Sequence, residues 1–122
     1  MKKMIIVCLL APLMLMIASF IRSQGVPQGP ETREVKITAK KYEFSPNTVE
    51  VNAGTRIIFK ITALDREHGF EIAGVKNSCV KIKKGETATV EYMAENAGIV
   101  EFKCCDFCGF GHRAMKGKIV VH

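Results

Sequence analysis

From Glu34 onward the chain reads as short strands in quick succession. Val35-Lys36-Ile37-Thr38-Ala39 alternates apolar with polar or small residues, Thr48-Val49-Glu50-Val51 alternates again, and an Asn52-Ala53-Gly54 turn leads into residues 55–62. The same pattern returns at residues 68–72, 79–82, 87–92, 98–103 and 118–121, with a Lys83-Lys84-Gly85 turn on the way. Period two sends successive side chains to opposite faces, so each segment has one face to bury. Segments of this length, rich in Val, Ile, Thr and Phe and broken by Gly, Asn and Pro, predict an all-β antiparallel sandwich or barrel. No apolar stripe at helical spacing and no internal repeat is found in this region.

The N-terminal part is different. Met1-Lys2-Lys3 precedes an apolar run from Met4 to Phe20 or Ile21, roughly the length at which the core of an export signal can span a bilayer. No small-x-small cleavage site stands out among Ala18, Ser19 and Ser23, and Cys8 lies too early, among the wrong neighbours, for a lipoprotein site. An uncleaved anchor is therefore preferred over a cleaved signal. Both put the remainder outside the cytoplasmic membrane, in the periplasm or on its extracytoplasmic face, with the two lysines inside. The Gly/Pro run Gln24-Gly25-Val26-Pro27-Gln28-Gly29-Pro30 reads as a linker. The expected organisation is one hydrophobic helix in residues 1–23 as signal or membrane anchor, a linker in 24–33, and one domain in 34–122.

Charge excludes one class of partner. The chain carries 18 Lys and Arg against 12 Asp and Glu, but Lys2, Lys3 and Arg22 belong to the leader, which leaves the remainder at only +3. The basic residues are scattered, there is no Trp, and only Tyr42 and Tyr92 represent Tyr, so nothing marks a nucleic-acid surface. A mild positive balance is compatible with an acidic redox partner.

The chemistry is concentrated in Cys104-Cys105-Asp106-Phe107-Cys108-Gly109-Phe110-Gly111-His112-Arg113-Ala114-Met115. Thiolate, imidazole and thioether together select copper over magnesium, calcium or manganese. Cys104 and Cys108 lie on one loop with three residues between them, so both sulfurs can turn to one point and could bridge two metal ions. A mononuclear blue-copper site needs one thiolate, two imidazoles and a weak axial group, which leaves the second cysteine surplus. The further imidazole has to come from another strand. His68, in Asp65-Arg66-Glu67-His68-Gly69-Phe70, is the good candidate, because His122 is terminal.

The loop resembles the copper-A (CuA) motif of cytochrome c oxidase subunit II and nitrous-oxide reductase, which reads Cys, three residues, Cys, three residues, His, two residues, Met. Asp65 to Phe70 is similar to that family's upstream Asp-x-x-His-Gly/Ser-Phe element. The resemblance implies a cupredoxin-like Greek-key β-sandwich, and Tyr42-Glu43-Phe44-Ser45-Pro46 with the strand and turn after it looks like the opening of many such domains. It also implies two coppers bridged by Cys104 and Cys108, one held also by His68 and Met115, the other by His112 and the backbone carbonyl of Asp106, whose side chain is then free. In the oxidase subunit the Asp106 position is usually Glu, whose carboxylate reaches a second metal, a role the shorter Asp106 leaves in doubt. The implied function is one-electron transfer between a donor and an acceptor, cytochrome c-like or an oxidase, possible in a respiratory chain. No substrate chemistry and no small-molecule substrate are expected, so the protein is not read as an enzyme. An oxidase subunit II normally has a pair of membrane helices, and here there is at most one.

Other readings of the same residues remain. A Cys104–Cys108 disulfide leaves the His and Met spacing unexplained. Zinc rarely takes Met, and its structural spacings differ. A Sco-type chaperone has its histidine far downstream on a thioredoxin-like fold, which this pattern does not match. A copper delivery or storage protein holding Cu(I), and a mononuclear cupredoxin, are the functional alternatives. Cys105 is expected to point away from Cys104 as a non-ligand open to oxidation, and Cys79 to be a core-facing thiol in a strand. Phe107 and Phe110 are read either as a dry shell around the metal or as ordinary core or rim aromatics, and Gly109 and Gly111 as relief of backbone constraint.

Overall fold

The computed structural model describes residues 29–122, so the leader and the first half of the linker lie outside the described residues. Nine strands are present: β1 (Thr32–Lys40), β2 (Glu43–Ser45), β3 (Thr48–Val51), β4 (Thr55–Ala63), β5 (His68–Ile72), β6 (Val80–Ile82), β7 (Thr87–Ala94), β8 (Gly98–Lys103) and β9 (Lys116–Val121), with one 3-10 turn at His112–Ala114. They form a four-stranded sheet in the order β2-β1-β4-β7 and a five-stranded sheet in the order β3-β9-β8-β5-β6. Among the described residues no helix is long and apolar enough to cross a membrane.

Alternation drives the packing. Along β4, Thr55, Ile57, Phe59, Ile61 and Ala63 point inward and are almost wholly buried, while Arg56 faces solvent. The centre of the sandwich is four rings, Phe44 of β2, Phe59 of β4, Phe70 of β5 and Phe102 of β8, whose centroids lie 5.2–6.1 Å apart in edge and tilted contacts. Each such side chain contributes about 1.5–3 kcal/mol by leaving water. Phe102 stands one residue before the end of β8, where the loop to β9 begins, and its ring tip packs on Gly117 of β9.

Two features differ from the strand pattern read in the sequence. The sandwich is mixed, because β1 runs parallel to β4 from Thr32↔Arg56 to Ala39↔Ala63, and β3 runs parallel to β9. Direction is set by the path between the strands: β3 belongs to the opposite sheet, and the chain returns from it to lie along β1 in the same sense. The second difference is β2, a three-residue strand pairing with β1 that is too short for alternation to reveal. The bounds of β3, β5 and β8 coincide with the alternating segments.

Candidate metal centre

The β8–β9 connection, residues 104–115, begins and ends on the ladder. Lys103 pairs with Lys116, and the next link inward is Cys104 N–H donating to the Met115 carbonyl at 3.0 Å. The loop is thus closed at its base, which brings its first and last candidate ligands together. A 3-10 turn presents His112, with the His112 amide on the Gly109 carbonyl and the Met115 amide on the His112 carbonyl, both at 3.1 Å. Gly109 has φ +132°, a conformation that favours glycine, and the Tyr42 ring lies where a Cβ on Gly109 or Gly111 would project. These glycines therefore serve close packing on Tyr42 as well as backbone freedom.

The residues singled out in the sequence meet here. Cys104 Sγ lies 3.6 Å from Cys108 Sγ, and Cys108 Sγ lies 3.7 Å from His112 Nδ1 and 3.8 Å from Met115 Sδ. The Asp106 backbone carbonyl accepts from Cys104 Sγ at 3.1 Å. His68, at the start of β5, brings a ring nitrogen to the two thiols so that the three donor atoms are all within 4.8 Å of one another. His68, Cys104, Cys108 and Met115 are buried, and both cysteines are free thiols.

His68 carries the most direct indication of a missing partner. Its Nε2 is 2.7 Å from Asp65 Oδ1, an arrangement in which Nε2–H donates to the carboxylate and Nδ1 is left with its lone pair. Nδ1 is buried and has no hydrogen-bond partner. An orphaned acceptor beside two thiols is costly unless something binds it, and a carboxylate behind an imidazole is the usual support for a metal-bound histidine. The sequence reading placed Asp65 in the motif but gave it no task. Burial pushes the Asp65 carboxyl up, yet the Lys41 amide at 2.8 Å and His68 together hold it below its ordinary value.

The Cys108 thiol resists ionisation. Burial, and then the neighbouring Cys104, push the Cys108 thiol up to about 11. A bound cation is what would offset that cost, since thiolates are the binding form. The donor set of two thiols, two imidazoles, a thioether and a carbonyl is soft and fits copper.

Three expectations are corrected. Cys79 is not a core-facing strand thiol: it is exposed, precedes β6, and forms a disulfide with Cys105. That pairing could not be read from spacing, because it depends on β6 lying beside the loop. The Asp106 side chain, implied to be free, pairs with Lys81 of β6 at Oδ1–Nζ 3.0 Å, and the carboxylate in turn raises the Lys81 pKa. Finally, Phe107 and Phe110 are not a dry shell, being 70% and 102% exposed, although Phe107 stands 5.8 Å, centroid to centroid, from the His112 ring.

Comparison with known proteins agrees with this geometry. A family described as a cupredoxin-like domain matches residues 9–121. Cytochrome c oxidase subunit 2 of Thermus thermophilus is 40% identical over 100 residues, covering 81% of this chain and 73% of that protein. Nitrous-oxide reductase of Cupriavidus necator is 27% identical over 104 residues, covering 82% of this chain but 16% of that protein. Among solved structures, a chain of a heme-copper terminal oxidase dimer superposes with TM-score 0.69 at 29% identity, over 80% of this chain and 68% of that one. The periplasmic domain of cytochrome oxidase subunit II of Bradyrhizobium japonicum shares the fold, with TM-score 0.64 at 21% identity over 80% of this chain and 87% of that one. With two sheets of this topology, a Cys/His cluster at one pole and these relatives, the chain belongs to the cupredoxin-like family, in its branch similar to the copper domain of cytochrome c oxidase subunit II.

Proposed function

We propose that the domain holds a dinuclear CuA-type copper centre and passes single electrons between protein partners outside the cytoplasm. The unpartnered Nδ1 of His68, facing the Cys104 and Cys108 thiols, is the observation that carries this reading. Cys104 and Cys108 would bridge the two ions, His68 and Met115 would complete one, and His112 with the Asp106 carbonyl would complete the other. When bound, the copper pair supplies a one-electron store shared by two ions.

The protein's part is to hold the donors still. His68 comes from β5 and the others from the β8–β9 loop, so ligand positions are set by two adjacent strands of one sheet. Asp65 orients the His68 ring, the Cys104 amide bond to Met115 closes the loop, and the Phe70 and Phe102 rings keep water from beneath. Ligands that move little between oxidation states exchange electrons quickly. The exposed Phe107 and Phe110, beside the half-buried His112, form an apolar contact for a cytochrome c-like donor or an oxidase. The domain performs no substrate chemistry of its own. The unit, expected from residue 34, would begin at Thr32, because Thr32 and Arg33 already pair in β1, and it would be carried on the rest of the linker and tethered or exported by residues 1–23.

The test is copper stoichiometry with EPR, on protein loaded under reducing conditions and then oxidised. Two coppers per chain, with one unpaired electron coupled to both nuclei, are expected. One copper with a single-nucleus spectrum would indicate a mononuclear cupredoxin, and a protein that stays EPR-silent Cu(I) under mild oxidant would indicate copper delivery or storage.

A further inference from the structure

The ligand loop contains three cysteines within five positions, yet only Cys104 and Cys108 are free. Cys105 stands between Cys104 and Asp106 and is tied to Cys79. Gly69 of β5 faces both neighbouring sulfurs: its amide donates to Cys104 Sγ at 3.3 Å, while Cys105 Sγ lies 2.6 Å from where a Cβ would be. Cys104, Cys105 and Cys79 also line one hollow of about 580 Å³, together with Lys103, His112 and Arg113, so the disulfide and the edge of the thiol pair share a solvent-reachable wall.

We infer that Cys79 is a protecting partner for the copper-binding thiols. Held by Cys79, Cys105 is removed from exchange with Cys104 and Cys108, and the pair stays reduced in an oxidising compartment. Without Cys79, the Cys105 thiol and the Cys104 or Cys108 thiol lose their two protons and form one S–S bond. The two electrons reduce one molecule of glutathione disulfide, or an equivalent disulfide oxidant, to two thiols. A site with one ligand sulfur sequestered in this way cannot bridge two ions. The significance for copper rests on the function proposed above, whereas the disulfide pattern does not.

Lys81 makes the two roles of β6 separable. Its ion pair with Asp106 involves neither disulfide sulfur, so loss of Cys79 removes no partner of that contact.

The experiment uses the full chain in detergent, as wild type, Cys79→Ser and Cys79→Ser/Cys105→Ser, equilibrated with glutathione disulfide. Disulfides are mapped by peptide mass spectrometry and Cu(I) uptake is then measured. Wild type should keep Cys104 and Cys108 as thiols. Cys79→Ser should show Cys105 joined to Cys104 or Cys108, with copper uptake reduced about fivefold or more, and the double variant should regain both free thiols and uptake within about twofold of wild type. Free Cys104 and Cys108 in Cys79→Ser would overturn the inference, as would their oxidation to each other in wild type. A double variant as impaired as the single one, in folding or in uptake, would also overturn it, because the disulfide would then be a brace only. If the thiol pattern follows expectation while wild type takes up no copper, the protection stands and the copper function fails.

Discussion

Gly69→Ala puts the packing of the ligand loop on β5 to a sharp test. The glycine does not have a positive φ, so alanine brings no backbone strain and, by restricting the unfolded chain, favours folding by about 0.4–1 kcal/mol. Opposing that gain, the new Cβ would lie 2.6 Å from Asp106 N and 2.6 Å from Cys105 Sγ, with Cys105 N at 3.0 Å. Ordinary contact needs about 3.5–4.0 Å, so the loop has to retreat by about 1 Å. It is poorly placed to do so, because β5 is an interior strand between β8 and β6, and the struck residues are anchored by the disulfide and by Lys81. Overpacking of this kind costs about 1–3 kcal/mol, and a backbone atom and a disulfide sulfur place it in the upper half of that range. For a domain of this size, a net loss of 2 kcal/mol lowers Tm by about 8–16 °C. Thermal unfolding of the metal-free protein reads the effect directly, and disulfide mapping shows whether Cys79–Cys105 still forms. A Tm equal to or above wild type would refute the reasoning, since it would mean that the loop is not seated on Gly69.

Other perturbations report on separate parts of the molecule. Asp65→Asn turns an obligate acceptor into a group that can offer N–H to His68 Nε2, favouring the tautomer that blocks Nδ1; copper affinity, measured by chelator competition, should fall about 10–100-fold. Phe59→Ala, at the centre of the ring cluster, should cost about 3–5 kcal/mol in urea unfolding. Phe110→Ala removes a ring that is wholly in solvent, so stability should change by no more than about 0.5 kcal/mol. Its electron exchange with a cytochrome c-like donor, followed by stopped flow, should slow about fivefold or more, as for a residue that anchors docking. The raised Cys108 pKa has a defined sign: the folded, metal-free form retains a proton that the unfolded chain releases near 9, so stability is intact below about pH 9 and lost as pH rises toward 11. Denaturant titrations across that window should show the loss, and Cys108→Ser should lessen it.

How far the sequence discloses this molecule depends on the range of each interaction. Alternation is local, and with the turn residues that punctuate it, it located β3, β5 and β8 to the residue, most plainly in β3, where Val49 and Val51 are buried and Thr48 and Glu50 exposed. Strand direction is not local: the parallel runs of β1 on β4 and β3 on β9 follow from which sheet each intervening strand joins. The proximity of Cys104, Cys108, His112 and Met115 was legible because one short loop carries all four, and His68 joined them through a resemblance in its own segment. Nothing in the spacing of Cys79, Lys81, Cys105 and Asp106 indicates that they pair, since a disulfide needs Cα atoms about 4.4–6.8 Å apart in space and the chain separates the cysteines by 26 positions. The partners of Asp65 were similarly hidden. The exposure of Phe107 and Phe110 is a tertiary fact that hydrophobicity alone misreads.

The parallel pairing of β3 with β9 also bears on when the site comes into being. Thr48 meets Lys118 and Val51 meets Val121, so nearly the whole domain has to be threaded before β9 can take its place. Such distant pairings close late, because the entropy of a large loop is lost before its contacts form. Met115 immediately precedes β9, and the loop is shut by the Cys104 to Met115 hydrogen bond beside the β8–β9 ladder. Until that moment Met115 is not closed against Cys104, and His68 lies on a separate length of chain. Assembly of the donor cluster is therefore a late event in folding, and metal uptake would read out that the last strand has docked.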